Sequence, residues 1–117
     1  MQAQVLKQAA RIAEAGLDDW GAVEQPIGIP VSHTRGKLLH RGADGANEVG
    51  VWVCTPGKWR CVVERDEFCH FLSGRCTYIV DGGDSLRIEA GDAAFFPAGW
   101  SGTCEVIDTV RKTYMIR

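Results

Sequence analysis

The feature that most constrains the fold is a two-residue hydrophobic period that begins at residue 49. Runs such as 49–55, 58–63 and 75–80 have the short alternation that is typical of strands with one buried face. Turn sequences rich in glycine separate these runs about every eight to twelve residues, which gives about seven or eight strands. Because 117 residues suffice for a single core, the sequence predicts an all-β sandwich or small jelly-roll barrel.

Two turn sequences predict hairpins. Pro56-Gly57 between VGVWVCT and KWRCVVE is typical of a type II turn. In that hairpin the opposed pairs are Trp52 with Cys61 and Cys54 with Trp59. The DGGD sequence at 81–84 predicts the second hairpin.

The first third of the chain has a different pattern. Val5, Ala9 and Ile12 have a helical spacing, and Gly16 follows as a C-cap residue, so a short helix is predicted over residues 3–15. Prolines and glycines predict an irregular segment up to about residue 48, with a short strand near Lys37–His40. We therefore divide the chain into an N-terminal helix and irregular arm (1–35) and a β-barrel domain (36–117).

Composition excludes several classes of function. The net charge of −2 and the scattered Lys and Arg residues give no reason to expect a nucleic-acid partner. No apolar run approaches the roughly 20 residues of a membrane span, and the N-terminus lacks the apolar stretch of a signal peptide, so we expect a cytoplasmic protein. The five cysteines include no C-x-x-C pair, which favours reduced, buried thiols over a disulfide framework.

Two spaced motifs carry a family resemblance. Glu67, six residues and Gly74, followed by Gly91, five residues and Pro97-x-Gly99, resemble the two signature motifs of the cupin superfamily. VWVCTPGKWRC, DEFCHFLSGR, GDAAFFPAGWSGT and VRKTY together resemble the small single-domain cupins related to (S)-ureidoglycine aminohydrolase and the ethanolamine-utilisation cupins. The resemblance covers about residues 36–117. It implies a jelly-roll-like, RmlC-type conical β-barrel with an internal pocket, often paired as a homodimer.

The resemblance also shows what this sequence lacks. Metal-binding cupins carry two histidines before the motif-one glutamate and a third after the Pro-x-Gly segment. Cys61, Val63 and Gly102 occupy those positions here, so only Glu67 is left of the usual ligands. One carboxylate does not hold a transition metal tightly, and we expect no metal cofactor. The alternative is a zinc or copper site of Cys61, Cys69, Cys104 and Glu67, which strand alternation places on the inner face.

Polar and aromatic residues remain as a candidate site. Glu67 and Lys112 are the candidate catalytic residues, as an acid–base pair or as an internal salt bridge. Eight further residues are candidate pocket residues: Trp52, Trp59 and Trp100 as an aromatic wall for a planar or sugar-like ligand, and Cys61, Cys69, Tyr78, Cys104 and Tyr114 on the strands around it.

Two hypotheses about function follow. The first is a metal-independent cupin that binds a small polar molecule. The second is a small enzyme, similar to ureidoglycine aminohydrolase, that acts on a ureido or amino-acid-like substrate with Glu67 as acid/base. A purely structural role is a third reading. The expected partners are a small-molecule ligand and a second copy of the chain, without nucleic acid or membrane.

Overall fold

Nine antiparallel strands form one sheet that curls into a half-barrel. The computed structural model describes residues 2–117, and its strands are β1 (Asp18–Ala22), β2 (Pro26–Ile27), β3 (His33–Arg41), β4 (Glu48–Cys54), β5 (Gly57–Val62), β6 (Glu67–Val80), β7 (Ser85–Glu89), β8 (Ala93–Phe96) and β9 (Ser101–Ile116). The predicted all-β barrel class is confirmed. No helix within residues 2–117 is long and apolar enough to cross a membrane.

Two long strands organise the sheet. β6 and β9 pair along nearly their whole lengths, and β6 contains the predicted run 75–80 as its last six residues. Register shifts between Phe71 and Cys76 mark bulges that bend the pair midway. Gly74 lies at this bend with φ +81°, and a Cβ there would be 2.1 Å from the Thr109 carbonyl oxygen. Only glycine therefore fits at this close approach of the two strands.

The hairpin predicted at Pro56-Gly57 is wrong. β4 and β5 do not pair with each other: β4 pairs with residues 110–116 of β9 and β5 with residues 101–106. The chain thus continues in one direction along the same edge of β9, interrupted only at Thr55 and Pro56. Gly57 fits close against the preceding loop, since a Cβ there would be 2.5 Å from Ser32 Oγ. Trp52 and Cys61 are therefore not opposed across a hairpin, and neither are Cys54 and Trp59.

The second predicted hairpin is confirmed. Ile79 pairs with Ser85 across the DGGD turn, where Gly82 has φ +70°. The predicted alternation also holds locally, because Cys54, Cys61 and Val63 are all buried on the inner face although the turn between them was misassigned.

The predicted helix over 3–15 is not formed. Only a 3₁₀ turn, Glu14–Gly16, is present, and Gln8 has φ 55°. Arg111 of β9 donates to the carbonyl oxygens of Ala9 at 3.0 Å and Ile12 at 2.6 Å. These carbonyls would accept intrahelical bonds in a helix. A segment this short is a marginal helix alone, so contacts to the sheet determine its conformation.

The sheet also takes in part of the predicted arm. β1 pairs with β3, and β2 pairs with β5. β3 contains the predicted strand Lys37–His40 but begins at His33. The division at residue 36 stays a prediction, and Met1 lies outside the described residues.

The core fills the concave face of the half-barrel. Its buried members are Cys54, Cys61, Val63, Cys69, Phe71, Cys76, Tyr78, Ile88, Phe96, Cys104, Val106, Val110 and Tyr114. All five cysteines are buried and free, in agreement with the sequence prediction.

The convex face carries an exposed apolar row. Phe68 of β6 is flanked by Phe95 of β8 and Met115 of β9, and these side chains are 52%, 60% and 47% exposed. The homodimer expected from the sequence stays a prediction.

Candidate functional site

A cavity of about 510 Å³ opens on the concave side of the sheet. Its lining residues are Trp20, Glu24, Glu48, Trp52, Trp59, Cys61, Val62, Val63, Glu64, Arg65, Glu67, Tyr78, Phe96, Lys112, Tyr114 and Ile116. The cavity combines aromatic walls with several ionisable groups, the composition that is typical of small-molecule sites.

The structure brings seven of the ten predicted site residues to this cavity: Glu67, Lys112, Trp52, Trp59, Cys61, Tyr78 and Tyr114. The other three do not line it. Cys69 and Cys104 are fully buried behind the wall. Trp100 packs edge-on against Phe96 and Tyr78, with ring centroids 5.3 and 5.9 Å away, so it supports the wall from outside.

An ion pair lies within the cavity wall. Lys112 Nζ donates to Glu67 Oε2 at 2.8 Å, and the side chains are only 8% and 17% exposed. The pair forms because β6 and β9 are neighbours with inward-facing side chains at these positions. Cys69 Sγ donates to the same Glu67 oxygen at 3.1 Å.

The two charges keep each other ionised. Burial alone would raise the pKa of Glu67, but the neighbouring Lys112 ammonium holds it below its usual value. Burial alone would lower the pKa of Lys112, but the Glu67 carboxylate raises it above its usual value. The internal salt bridge considered in the sequence analysis is thus the observed arrangement.

One oxygen of this carboxylate has no protein donor. Both hydrogen bonds of the Glu67 carboxylate within residues 2–117 go to Oε2, and none goes to Oε1. Since Glu67 lines the cavity, Oε1 is an available acceptor there.

Aromatic faces surround the lysine. Lys112 Nζ lies 4.4 Å from the centroid of the Trp52 ring and 5.7 Å from that of Phe71. Trp59 lies beside Trp52, with ring centroids 6.3 Å apart and planes at 59°. The ammonium therefore has a cation–π contact as well as its carboxylate partner.

A second polar cluster lies in the wall formed by β4 and β9. The Tyr114 hydroxyl donates to Glu48 Oε2 at 2.6 Å, and Arg41 Nη2 donates to Glu48 Oε1 at 3.0 Å. Burial and the Glu48 carboxylate raise the pKa of Tyr114, so its phenol stays protonated at neutral pH.

Sequence reasoning missed several lining residues: Trp20, Glu24, Glu48, Glu64, Arg65 and Phe96. Glu48 follows a loop sequence, and Trp20 belongs to the predicted arm. Trp20 reaches the cavity because β1 pairs with β3 and its indole lies over Gly36. The glycine is the only local signal for this packing.

The residues present do not fit a metal ion. No three His, Cys, Asp or Glu side chains within residues 2–117 form a group that could hold one. Burial raises the pKa of Cys61 to about 11 and that of Cys69 to about 12, which disfavours thiolate ligands. The cation beside Glu67 is Lys112. The zinc or copper alternative through Cys61, Cys69, Cys104 and Glu67 therefore has no support.

Gly102 explains the missing third histidine. It pairs with Val80 of β6 and Cys61 of β5. A Cβ at this position would lie 2.0 Å from the Ile79 carbonyl oxygen and 2.8 Å from Trp100 Cη2. The strands approach too closely for any side chain.

The model of the EutQ-like cupin domain family matches residues 41–114. The chain belongs to this family. None of the functionally curated proteins matches the sequence significantly.

Solved structures agree on the fold. A DUF861-family protein of unknown function from Pseudomonas syringae pv. tomato is 23% identical with a TM-score of 0.77; the match covers 86% of this chain. This chain spans only 44% of that protein's length. A putative ethanolamine utilization protein Q from Salmonella typhimurium LT2 is 19% identical with a TM-score of 0.69, and 97% and 91% of the two chains match. EutQ from Clostridium difficile is 19% identical with a TM-score of 0.63, and the match covers 79% of this chain and 75% of that protein.

Gly102→Ala tests the close approach at the histidine position. We expect a loss of about 1–3 kcal/mol in the free energy of unfolding, because the Ile79 carbonyl is backbone and the strands must separate. Gly83→Ala is the matched control, since the added methyl meets only the Val80 side chain. Urea unfolding measures both, and equal losses would contradict the steric argument.

Glu67→Gln tests the buried ion pair. We expect a loss of about 3–5 kcal/mol in unfolding free energy, because Lys112 is left buried without a counter-charge. The double variant Glu67→Gln/Lys112→Met is expected to recover part of this loss. A double variant that is as unstable as the sum of the single ones would show that the charges do not interact.

The pH dependence of stability follows from the same pair. The pKa of Glu67 is lowered from 4.5, so its contribution is complete above 4.5 and is lost as the pH falls through the lower folded-state pKa. The pKa of Lys112 is raised from 10.5, so its contribution is complete below 10.5 and is lost as the pH rises through the folded-state pKa. Between pH 2 and 5, the Tm of the double variant should therefore fall less steeply with decreasing pH than the Tm of the wild type.

Elemental analysis tests the poor fit to metals. We expect zinc, copper, nickel and manganese at background in protein purified without chelator, and no change in Tm on adding EDTA. Stoichiometric metal that disappears in Glu67→Gln would contradict this prediction.

Proposed function

We propose that this protein binds a small polar molecule in the half-barrel cavity without a metal ion. The observation that carries the proposal is the Glu67 carboxylate, which lines the cavity, is fixed by Lys112 and Cys69 through Oε2, and keeps Oε1 without a protein donor. A ligand N–H or O–H group at Oε1 would complete its hydrogen bonding.

The cavity has dimensions and walls that suit such a ligand. Its volume of about 510 Å³ falls within the range of about 300–1,000 Å³ that is common for small-molecule sites. Trp52 and Trp59 offer apolar surface on one side, and Tyr78 and Phe96 offer it on another. Aromatic surface with a few fixed polar groups favours a compact molecule with one planar or apolar face.

The energetics of the ion pair support a role in recognition. A buried pair commonly stabilises a fold no more than well-packed apolar side chains would, because both charges lose hydration. The location of Glu67 and Lys112 at the cavity wall, where a ligand can use the charges, favours a binding role.

The enzymatic alternative has no specific observation in its favour. An acid–base reaction at neutral pH uses groups whose pKa values lie near 7. Glu67 has its pKa lowered and Lys112 has its pKa raised, so each is driven away from that range. A ureidoglycine aminohydrolase-like reaction, and membership of that cupin branch, therefore come second to binding.

Tryptophan fluorescence tests the proposal. Trp20, Trp52 and Trp59 line the cavity and Trp100 does not. Titration with small ureido compounds, amino acids, carboxylates, amines and alcohols should give a saturable change for at least one compound. The change should shrink in Trp59→Phe and persist in Trp100→Phe, the matched control.

Glu67→Gln supplies a second readout. Circular dichroism and Tm establish that the variant is folded at the assay temperature, and its affinity for the responding compound should fall at least tenfold. An unchanged affinity in folded Glu67→Gln, or no saturable response from any compound, would contradict the proposed function.

A further inference from the structure

We propose that the ligand of this cavity is a small organic cation with an ammonium-type head group. The inference rests on the proposed function and specifies the chemical class of the ligand. It depends on two observations: the charges left uncompensated around the cavity and the arrangement of the tryptophans.

The uncompensated charge of the cavity lining is negative. Four lining residues are acidic (Glu24, Glu48, Glu64 and Glu67), and two are basic (Arg65 and Lys112). Lys112 is paired with Glu67, and Glu48 is paired with Arg41, which lies outside the lining.

Two carboxylates remain after this pairing. Glu24 and Glu64 are exposed and form no ion pair within residues 2–117. One base remains as well, because Arg65 donates Nη1 to the neutral carbonyl oxygen of Gly45 and keeps its charge, so the balance of the lining is one negative charge. A lining with a net negative charge favours a cation over an anion.

Three tryptophans supply faces for a cation. Trp20, Trp52 and Trp59 all line the cavity, and tryptophan is the best cation–π partner among the aromatic side chains. The structure already contains one such contact, since the Lys112 ammonium lies 4.4 Å from the Trp52 ring centroid. A second ammonium-type group can use the other indole faces in the same way.

Trp20 packs into the cavity wall because Gly36 has no side chain. A Cβ at Gly36 would lie 2.1 Å from Trp20 Cζ3, so the indole rests directly on the backbone of β3. Trp20 nevertheless stays 37% exposed. A large aromatic side chain that is fixed in place and still open to the cavity is suited to contact with a ligand.

Matched pairs of charged and neutral probes test the inference. Choline is compared with 3,3-dimethyl-1-butanol, its uncharged isostere, and butylammonium is compared with 1-butanol. Tryptophan fluorescence titration of the full chain at low ionic strength gives the four affinities. At least one cation should bind tenfold more tightly than its neutral partner.

Charge variants show whether the carboxylates are responsible. Glu24→Gln/Glu64→Gln should lower the affinity for the responding cation at least threefold and leave the affinity for neutral probes unchanged. The control is Glu105→Gln, which removes one charge from an exposed position of β9 between the inward-facing Cys104 and Val106. This control should not change the affinity for the cation.

The outcomes separate the two proposals. If a neutral or anionic compound gives a saturable response and each cation binds no better than its neutral partner, the cation inference is overturned and the proposed function stands. A loss in Glu105→Gln equal to that in the double variant also overturns the inference, because net charge alone would then explain it. No saturable response from any compound overturns both proposals.

Discussion

The pairing of β6 with β9 is the interaction on which the rest of the structure depends. β9 is hydrogen-bonded to β6 along one edge and to both β4 and β5 along the other, so most of the sheet is joined through it. The bend at Gly74 curls this pair, and the curl forms the concave face that contains the core and the cavity. The same pairing brings Lys112 and Glu67 together from strands that are far apart in the sequence.

The Lys112 ammonium is the cation beside Glu67 in the cavity wall. Its chemistry has a physical consequence for the cavity. A metal ion holds several ligands and exchanges water, whereas a lysine ammonium contributes one charge and its own hydrogen-bond donors. The cavity is thereby suited to recognition through hydrogen bonds and aromatic contact.

The sequence was sufficient for the features that depend on local pattern. The strand class, the DGGD hairpin and the burial of Cys54, Cys61 and Cys104 follow from a period of two and from turn chemistry. The prediction of a hairpin at Pro56-Gly57 was wrong because both flanking strands pair with β9. A turn sequence gives no information about pairing with a strand so much later in the chain. The prediction of an N-terminal helix was wrong for a related reason, because Arg111, a distant residue, donates to the carbonyl oxygens of Ala9 and Ile12.

The residues of the candidate site likewise include some that the sequence could assign and some that it could not. Residues on the alternating strands, such as Trp52, Glu67 and Lys112, were assigned to the inner face from strand alternation together with the cupin resemblance. Trp20 could not be assigned in this way, because its place depends on pairing between β1 and β3 and on an open position at Gly36. Glu24 and Glu64 lie in connecting segments, where no period predicts which way a side chain points.

The position of β9 in the chain has a consequence for how the protein is made. β4, β5 and β6 all precede the strand that joins them, so during synthesis they leave the ribosome without their main partner. Phe71 and Val51 stay without their final surroundings until residues 110–116 emerge. The segment that contains Ala9 and Ile12 also depends on β9, because the guanidinium group that binds their carbonyl oxygens belongs to Arg111. The half-barrel is therefore complete only when β9 is available to β4, β5 and β6.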